Sequence, residues 1–271
     1  MKKIIFLLLT QLFLANNCFG LTIDRVILST NENPKYMDFW PIVAKAWQKI
    51  GIRPTLAFIA DKNVEIDESI GDVIRIEPLK GIPVSFQTQV IRLLLPALFK
   101  NEVFLISDID MLPLQKEYFV DKIKNIPDDC FVVYRDKAYK KIKRFPMCYN
   151  AAMGKTFADI FGGTQGINNI DDIYRVIKEL SKKWRNNWNT DEYALYVYLT
   201  KWKLYRKKCI KCGGTLKHII DRRVDRSNMK YSTQRLKDNY YIDFHMPRPY
   251  KKYKNAIHKI IELSWLEDII T

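Results

Sequence analysis

Two aspartates, Asp108 and Asp110, stand one residue apart at the end of an apolar run, Val103-Phe-Leu-Ile-Ser107, and a Pro-containing turn, Met111-Leu-Pro-Leu114, follows them. Carboxylates spaced this way at the end of a buried strand can hold a divalent cation, because Mg²⁺ and Mn²⁺ prefer hard oxygen ligands. In open α/β sheets the ligand site lies beyond the carboxyl ends of the strands, which is where this strand would deliver them. His245, one of only three histidines in the chain, is followed by Met-Pro-Arg248 and then Lys251 and Lys252. An imidazole completes a cation site, and an arginine beside it can grip phosphate oxygens in a bidentate fork. Asp191 and Glu192 open a helical segment and are the carboxylates available to take a proton from a hydroxyl. Trp184, Trp188 and Tyr193 lie close to them and offer aromatic faces on which a ligand could stack.

The elements that would position these groups alternate between strand and helix patterns. Arg25 to Thr30, Thr55 to Ala60, Asp72 to Ile76, Glu102 to Ser107 and Cys130 to Tyr134 read as strands. Asp38 to Ile50 places Phe39, Ile42, Val43, Ala46, Trp47 and Ile50 at helical spacing, and Gly51 stops it. Ser85 to Lys100 reads as an apolar helix capped by Ser85 and kinked at Pro96. Asp171 to Trp184 and Asp191 to Trp202 give two more helices, and beyond Lys201 no periodicity organises the chain. This alternation predicts an α/β fold with a mostly parallel central sheet and helices on both faces. Nothing between the elements reads as a linker, so residues 21–271 form one domain in this reading.

Composition narrows the classes further. The 271 residues are 48 % hydrophobic with ordinary glycine and proline content, enough to build a core, which excludes a disordered or collagen-like chain. Lys and Arg number 45 against 30 Asp and Glu, a net charge of +15, so an anionic partner is implied. The excess is local: residues 201–259 hold 18 basic residues against four aspartates, a balance of +14. A second basic stretch runs through Arg135, Lys137, Lys140, Lys141, Lys143 and Arg144. Lys2 and Lys3 ahead of the apolar run Ile4 to Ala15, with Cys18-Phe19-Gly20 behind it, form the pattern of a signal peptide over residues 1–20. The run falls short of the roughly 18–20 residues that span a bilayer, so cleavage near Gly20 into a secretory or extracytoplasmic compartment is the expectation. There, Cys130, Cys148, Cys209 and Cys212 could form two disulfides in any of three connectivities. Cys209-Ile-Lys-Cys212 also has zinc-knuckle spacing, but its partners would be scattered, with His218 among them.

The stretch from Arg92 through Asp108-Ile-Asp110 to Leu114 resembles the central region of GT-A-fold glycosyltransferases, the nucleotide-diphospho-sugar transferases that include glycogenin-like enzymes. Val26 to Thr30 resembles their first strand, Tyr149-Asn150-Ala-Ala-Met-Gly154 their Asn-X-Gly region, and Trp188-Asn-Thr-Asp191-Glu192-Tyr the segment facing the reacting sugar. Asp243-Phe-His245-Met-Pro-Arg248-Pro-Tyr250 is similar to their C-terminal histidine segment, although it lacks the glycine of the His-X-X-Gly-X-X-Lys pattern. The resemblance implies a GT-A (Rossmann-like) domain and a metal-dependent glycosyltransferase. Its donor would be a nucleoside-diphosphate sugar, most plainly a UDP-sugar, and its acceptor a hydroxyl on a glycan, glycoprotein or glycolipid. It implies Mn²⁺ or Mg²⁺ on Asp108, Asp110 and His245, donor contacts from Arg92, Asn150, Arg248 and Lys251, and catalysis by Asp191 or Glu192. No specific nucleic acid is expected, while the basic C-terminal segment suits a peripheral membrane contact. Two other classes compete. A haloacid dehalogenase-type phosphatase also ends a strand in Asp-X-Asp, but Met111 follows Asp110 where Thr or Val is usual. A secreted basic polyanion-binding protein would explain the charge and leave the strand-ended aspartates without a purpose.

Overall fold

The computed structural model describes residues 20–139, 142–184, 188–213 and 222–270. The signal-peptide expectation over residues 1–19 and the zinc candidate His218 lie outside the described residues. Among the described residues there are ten strands: β1 (Arg25–Asn31), β2 (Arg53–Ile59), β3 (Asp72–Ile76), β4 (Val103–Ile106), β5 (Met111–Pro113), β6 (Phe131–Val133), β7 (Asn150–Met153), β8 (Cys209–Lys211), β9 (Arg223–Asp225) and β10 (Asp243–His245). Seven of them form a sheet in the order β3-β2-β1-β4-β7-β6-β8, and β5-β10-β9 form a second, small sheet. All neighbours in the large sheet pair in parallel except β7, which runs against both β4 and β6. The expected α/β class with a mostly parallel sheet is therefore what the chain adopts.

Each face of the sheet carries its own core. Trp47 and Val43 of the helix Trp40–Ile50 pack on one side with Phe119, Tyr149 and Ile257, Ile260 and Ile261 of the helix Tyr250–Glu262. Val90, Ile91 and Leu94 of the helix Val84–Leu94 pack on the other, with Phe157, Ile173, Val176 and Leu195 from the helices Gly154–Phe161, Ile170–Lys183 and Thr190–Lys201. Strands covered on both faces must be apolar throughout, which is why β1 and β4 read as continuous runs.

The helix boundaries follow local chemistry. Gly51 ends its helix in the left-handed conformation, φ 93°, as a residue without Cβ can. The helix expected from Ser85 to Lys100 is shorter: it ends at Leu94 and tightens into a 3₁₀ turn, Leu95–Leu98. Pro96 causes this, since it has no N–H to continue the ladder. Ser85 does not cap the helix either; it lies within the first turn, after Pro83.

The four cysteines of the described residues are all free thiols, so the disulfides expected for an oxidising compartment are not formed. For Cys209 and Cys212 the reason is geometric. Cys209 opens β8, and three extended steps separate the two Cα atoms by about 10 Å, beyond the roughly 7 Å a disulfide spans. Among the described residues no helix is long and apolar enough to cross a membrane.

Candidate active site

A cavity of about 360 Å³ opens where the strands of the large sheet end. Thr30 and Asn31 at the end of β1, Asp108 and Asp110 after β4, and Arg135 after β6 line it. Because β7 is reversed, the residues before it, Pro146 to Cys148, reach the same edge. His245 and Arg248 arrive from the small sheet, Asp191 and Glu192 from the first turn of the helix Thr190–Lys201, and Arg92 from the helix Val84–Leu94.

Arg92 ties the aspartates together. Its Nη1 donates to the Ser107 carbonyl at 3.0 Å and to the Asp108 carboxylate, and its Nη2 donates to Asp191 Oδ2 at 2.8 Å. It is 7 % exposed and Asp191 4 %, so both charges are effectively out of water. Burial works against the guanidinium charge, but Asp108 and Asp191 outweigh it and raise its pKa above the ordinary arginine value.

Asp110 is the other focus. Its Oδ2 accepts from Arg226 Nη1 at 2.7 Å and lies 3.6 Å from His245 Nε2 and 3.4 Å from Arg248 Nε. Burial opposes its ionisation, yet His245, Arg248 and Arg226 together hold its carboxyl below the usual range. On its other side, His245 Nδ1 is 3.3 Å from Asp225 Oδ2. The small sheet fixes this row, since its register sets His245 opposite Met111 on β5 and opposite Asp225 on β9. The two flanking carboxylates raise the His245 pKa although burial lowers it.

These side chains suit a divalent cation in donor chemistry. Two carboxylates and an imidazole are the hard and borderline ligands that Mn²⁺ and Mg²⁺ accept, and Asp110 and His245 already stand within bridging reach of one another. Asp108 lines the same cavity with its side chain one-third exposed, but it is turned towards Arg92. Among the described residues no cluster of three His, Cys, Asp or Glu is drawn together around one point.

Asp191 and Glu192 differ in what they leave free. Asp191 Oδ2 is taken by Arg92, and its Oδ1 accepts from the Glu192 backbone N–H at 2.9 Å. Glu192 Oε1 accepts from the Tyr139 hydroxyl at 2.7 Å, whereas its buried Oε2 has no hydrogen-bond partner and faces Arg144 Nε at 3.4 Å. Burial, reinforced by the charge of Asp108, pushes Asp191 up to about 6. Burial, reinforced by Asp191, pushes Glu192 up to about 7 against the pull of Tyr139 and Arg144.

A raised carboxyl pKa means the folded chain binds the proton more tightly than the unfolded chain does. Stability is therefore full below pH 4.5 and is lost as pH rises through about 7. We expect the difference in melting temperature between Glu192→Gln and the native chain to grow in the variant's favour across that window. A thermal denaturation series in buffers from pH 4 to 8 reads it. A difference independent of pH would mean that Glu192 titrates normally.

The cavity thus gathers seven of the nine residues singled out from sequence: Arg92, Asp108, Asp110, Asp191, Glu192, His245 and Arg248. Asn150 and Lys251 are not among its lining residues. Asn150 is fully buried, and its Nδ2 donates to the Pro146 and Met147 carbonyls at 2.8 Å, so it shapes the cavity wall from behind. Lys251 projects into solvent, 3.5 Å from Asp38, because it sits on the exposed face of the helix Tyr250–Glu262. Trp188 is 63 % exposed at the cavity mouth beside Tyr36, with Arg248 lying over both rings. Trp184 packs on Tyr198 instead. Sequence reasoning missed Arg223, Asp225 and Arg226, which β9 and the turn after it carry to the site. Only their place in the basic C-terminal segment marked them.

No family model and no curated protein matches the chain. Among solved structures it is similar to the galactosyltransferase LgtC in complex with donor and acceptor sugar analogs. That match covers 88 % of this chain and 94 % of the other, with 13 % identity and a TM-score of 0.49. An active-site mutant of LgtC matches over 83 % of this chain and 88 % of its own, with 13 % identity and a TM-score of 0.46. The glycosyltransferase GlyE of Streptococcus pneumoniae TIGR4 matches over 69 % of this chain and 45 % of its own, with 12 % identity and a TM-score of 0.41. The likeness is one of overall fold.

Proposed function

We propose that the chain is a metal-dependent glycosyltransferase that moves a sugar from a nucleoside-diphosphate donor, a UDP-sugar, to a hydroxyl on a glycan, glycoprotein or glycolipid. One observation carries the reading: Asp108, Asp110 and His245 share a cavity with Arg226, Arg248 and the carboxyl of Glu192.

Asp110 and His245, joined by Asp108, would hold the cation. Bound there, it supplies Lewis-acid stabilisation of the charge that develops on the departing diphosphate. Arg248 and Arg226 bind the diphosphate oxygens in bidentate fashion, trading their contacts with Asp110 for contacts with substrate. The bond between the anomeric carbon and the diphosphate oxygen breaks with its electrons leaving on the diphosphate, and a bond to the acceptor oxygen forms. Glu192, which lines the cavity, takes the acceptor proton, and a pKa of about 7 suits that task at neutral pH. Arg92 and Asp191 hold the site in register without exchanging protons. Trp188 and Tyr36 cover the mouth and give the substrates rings to stack on. A secretory or extracytoplasmic compartment, supported by the amino-terminal pattern, and a peripheral membrane contact through the basic C-terminal segment complete the proposal.

Thermal-shift screening of UDP- and GDP-sugars, with and without Mn²⁺, tests the reading, since a ligand of the folded state must raise the melting temperature. The expected result is a shift that needs both the nucleotide and the cation. No shift with any sugar nucleotide in the presence of Mn²⁺ would refute it. Glu192→Gln should bind donor as the native chain does and lose about 10²–10⁴-fold in turnover, the usual contribution of a positioned base.

A further inference from the structure

Every guanidinium lining the cavity except one lies within ion-pair reach of a carboxylate. Arg92 is taken by Asp108 and Asp191, Arg226 and Arg248 by Asp110, and Arg223 by both oxygens of Asp243 at 2.5 and 2.6 Å. Arg135 lines the same cavity and is 8 % exposed, yet among the described residues no carboxylate lies within ion-pair reach of it. Its Nη1 has only the sulfur of Cys148, at 3.3 Å, and its Nε is buried without any hydrogen-bond partner. Burial pushes the Cys148 thiol up to about 11, so it is neutral and offers no countercharge. Holding an unpaired guanidinium out of water costs several kcal/mol, and that cost is recovered when an anion arrives.

The position says where such an anion would sit. Arg135 follows β6, two strands across the sheet from β4 and so about 10 Å from the aspartates that end it. Its turn also carries Tyr139, whose hydroxyl binds Glu192. We propose that Arg135 is a subsite for an oxyanion, a carboxylate or a phosphate ester, carried by the sugar substrate on the acceptor side of the cavity. The word sugar rests on the glycosyl-transfer reading, whereas the oxyanion rests on Arg135 alone. The preferred acceptor is then an acidic sugar, a uronic acid or a sugar phosphate.

The test is a thermal-shift titration of the full chain with glucuronate, glucose 6-phosphate and glucose, run with and without UDP and Mn²⁺. One of the two charged sugars is expected to bind about a hundredfold more tightly than glucose, and the preference to fall within about threefold in Arg135→Gln, as for loss of a buried charge-paired contact. Which of the two does so tells carboxylate from phosphate. Arg135→Lys should keep part of the preference. Free Arg135→Gln should melt no lower than the native chain, because a buried unpaired charge has been removed rather than a contact. Equal binding of charged and neutral sugars, or a preference that survives in Arg135→Gln, overturns the proposal. If UDP with Mn²⁺ fails to bind while the Arg135-dependent preference persists, the glycosyl-transfer reading falls and the subsite stands. If UDP binds and the preference is absent, the subsite alone falls.

Discussion

Asp110→Ala is expected to erase the Mn²⁺-dependent thermal shift with UDP-sugars and to lower turnover at least about a thousandfold, which corresponds to roughly 4 kcal/mol of transition-state stabilisation. Three cationic groups converge on this one carboxylate, Arg226, Arg248 and His245, and each is less than one-third exposed. Removing it would strip the proposed cation site of its central ligand and leave like charges facing each other across the cavity. Two assays separate these consequences: Mn²⁺ binding by calorimetry without nucleotide, and UDP binding without metal. The first should vanish, while the second should persist or strengthen, because Arg226 and Arg248 are released to the diphosphate. Asp110→Ala that still binds Mn²⁺ with native affinity would show that the cation is held elsewhere.

Arg92→Met should be the most damaging single change to stability, costing about 3–5 kcal/mol, as removal of one partner from a buried ion pair does. For a chain of this size that is a fall of roughly 10 °C in melting temperature. Asp191 would be left 4 % exposed with no counter-ion, and the strand end at Ser107 would lose its side-chain tether. Arg92→Lys is expected to rescue little, since one ammonium cannot present the fork that reaches Ser107, Asp108 and Asp191 together. Calorimetry at two pH values supplies the mechanism. The orphaned Asp191 can escape its penalty only by protonation, so the loss should shrink on going from pH 7 to pH 4. A loss below about 1 kcal/mol at pH 7 would mean that Arg92 is dispensable to the fold.

Much of this was legible in the sequence, and the reasons are physical. β1 to β4 are covered on one or both faces by helices, so their apolar content announces them, and Asp108 and Asp110 stand out because they interrupt such a run. Four helices were legible from their buried faces, with Trp40–Ile50 the clearest case, whereas Gly154–Phe161 and Tyr250–Glu262 were not anticipated. β7, β9 and β10 have three or four residues each, too few for a period to show. The rows they build could not be foreseen either: that Asp225 would stand beside His245 depends on a register set across the small sheet. Asn150 was chosen by resemblance and Lys251 for its charge close to Arg248, and they are the two that do not line the cavity. Arg135 was visible only as one basic residue among six in its stretch. Its isolation is a property of three dimensions, since it depends on which carboxylates are already taken.

The middle strand of the small sheet has a consequence for the chain's synthesis. β10 joins residues 111–113 to residues 223–225, so the small sheet can close only after all three segments have been made. A nascent chain can lay down β1 to β4, expose both aspartates and close much of the first core before His245 and Arg248 leave the ribosome. Until they do, the acidic end of the cavity lacks the histidine and the arginine that complete it. A chain that stops before β10 would lack His245 and Arg248, and on the proposed function it would hold neither cation nor donor. Fold-competence and substrate-competence are separated in time by the order in which the residues are made.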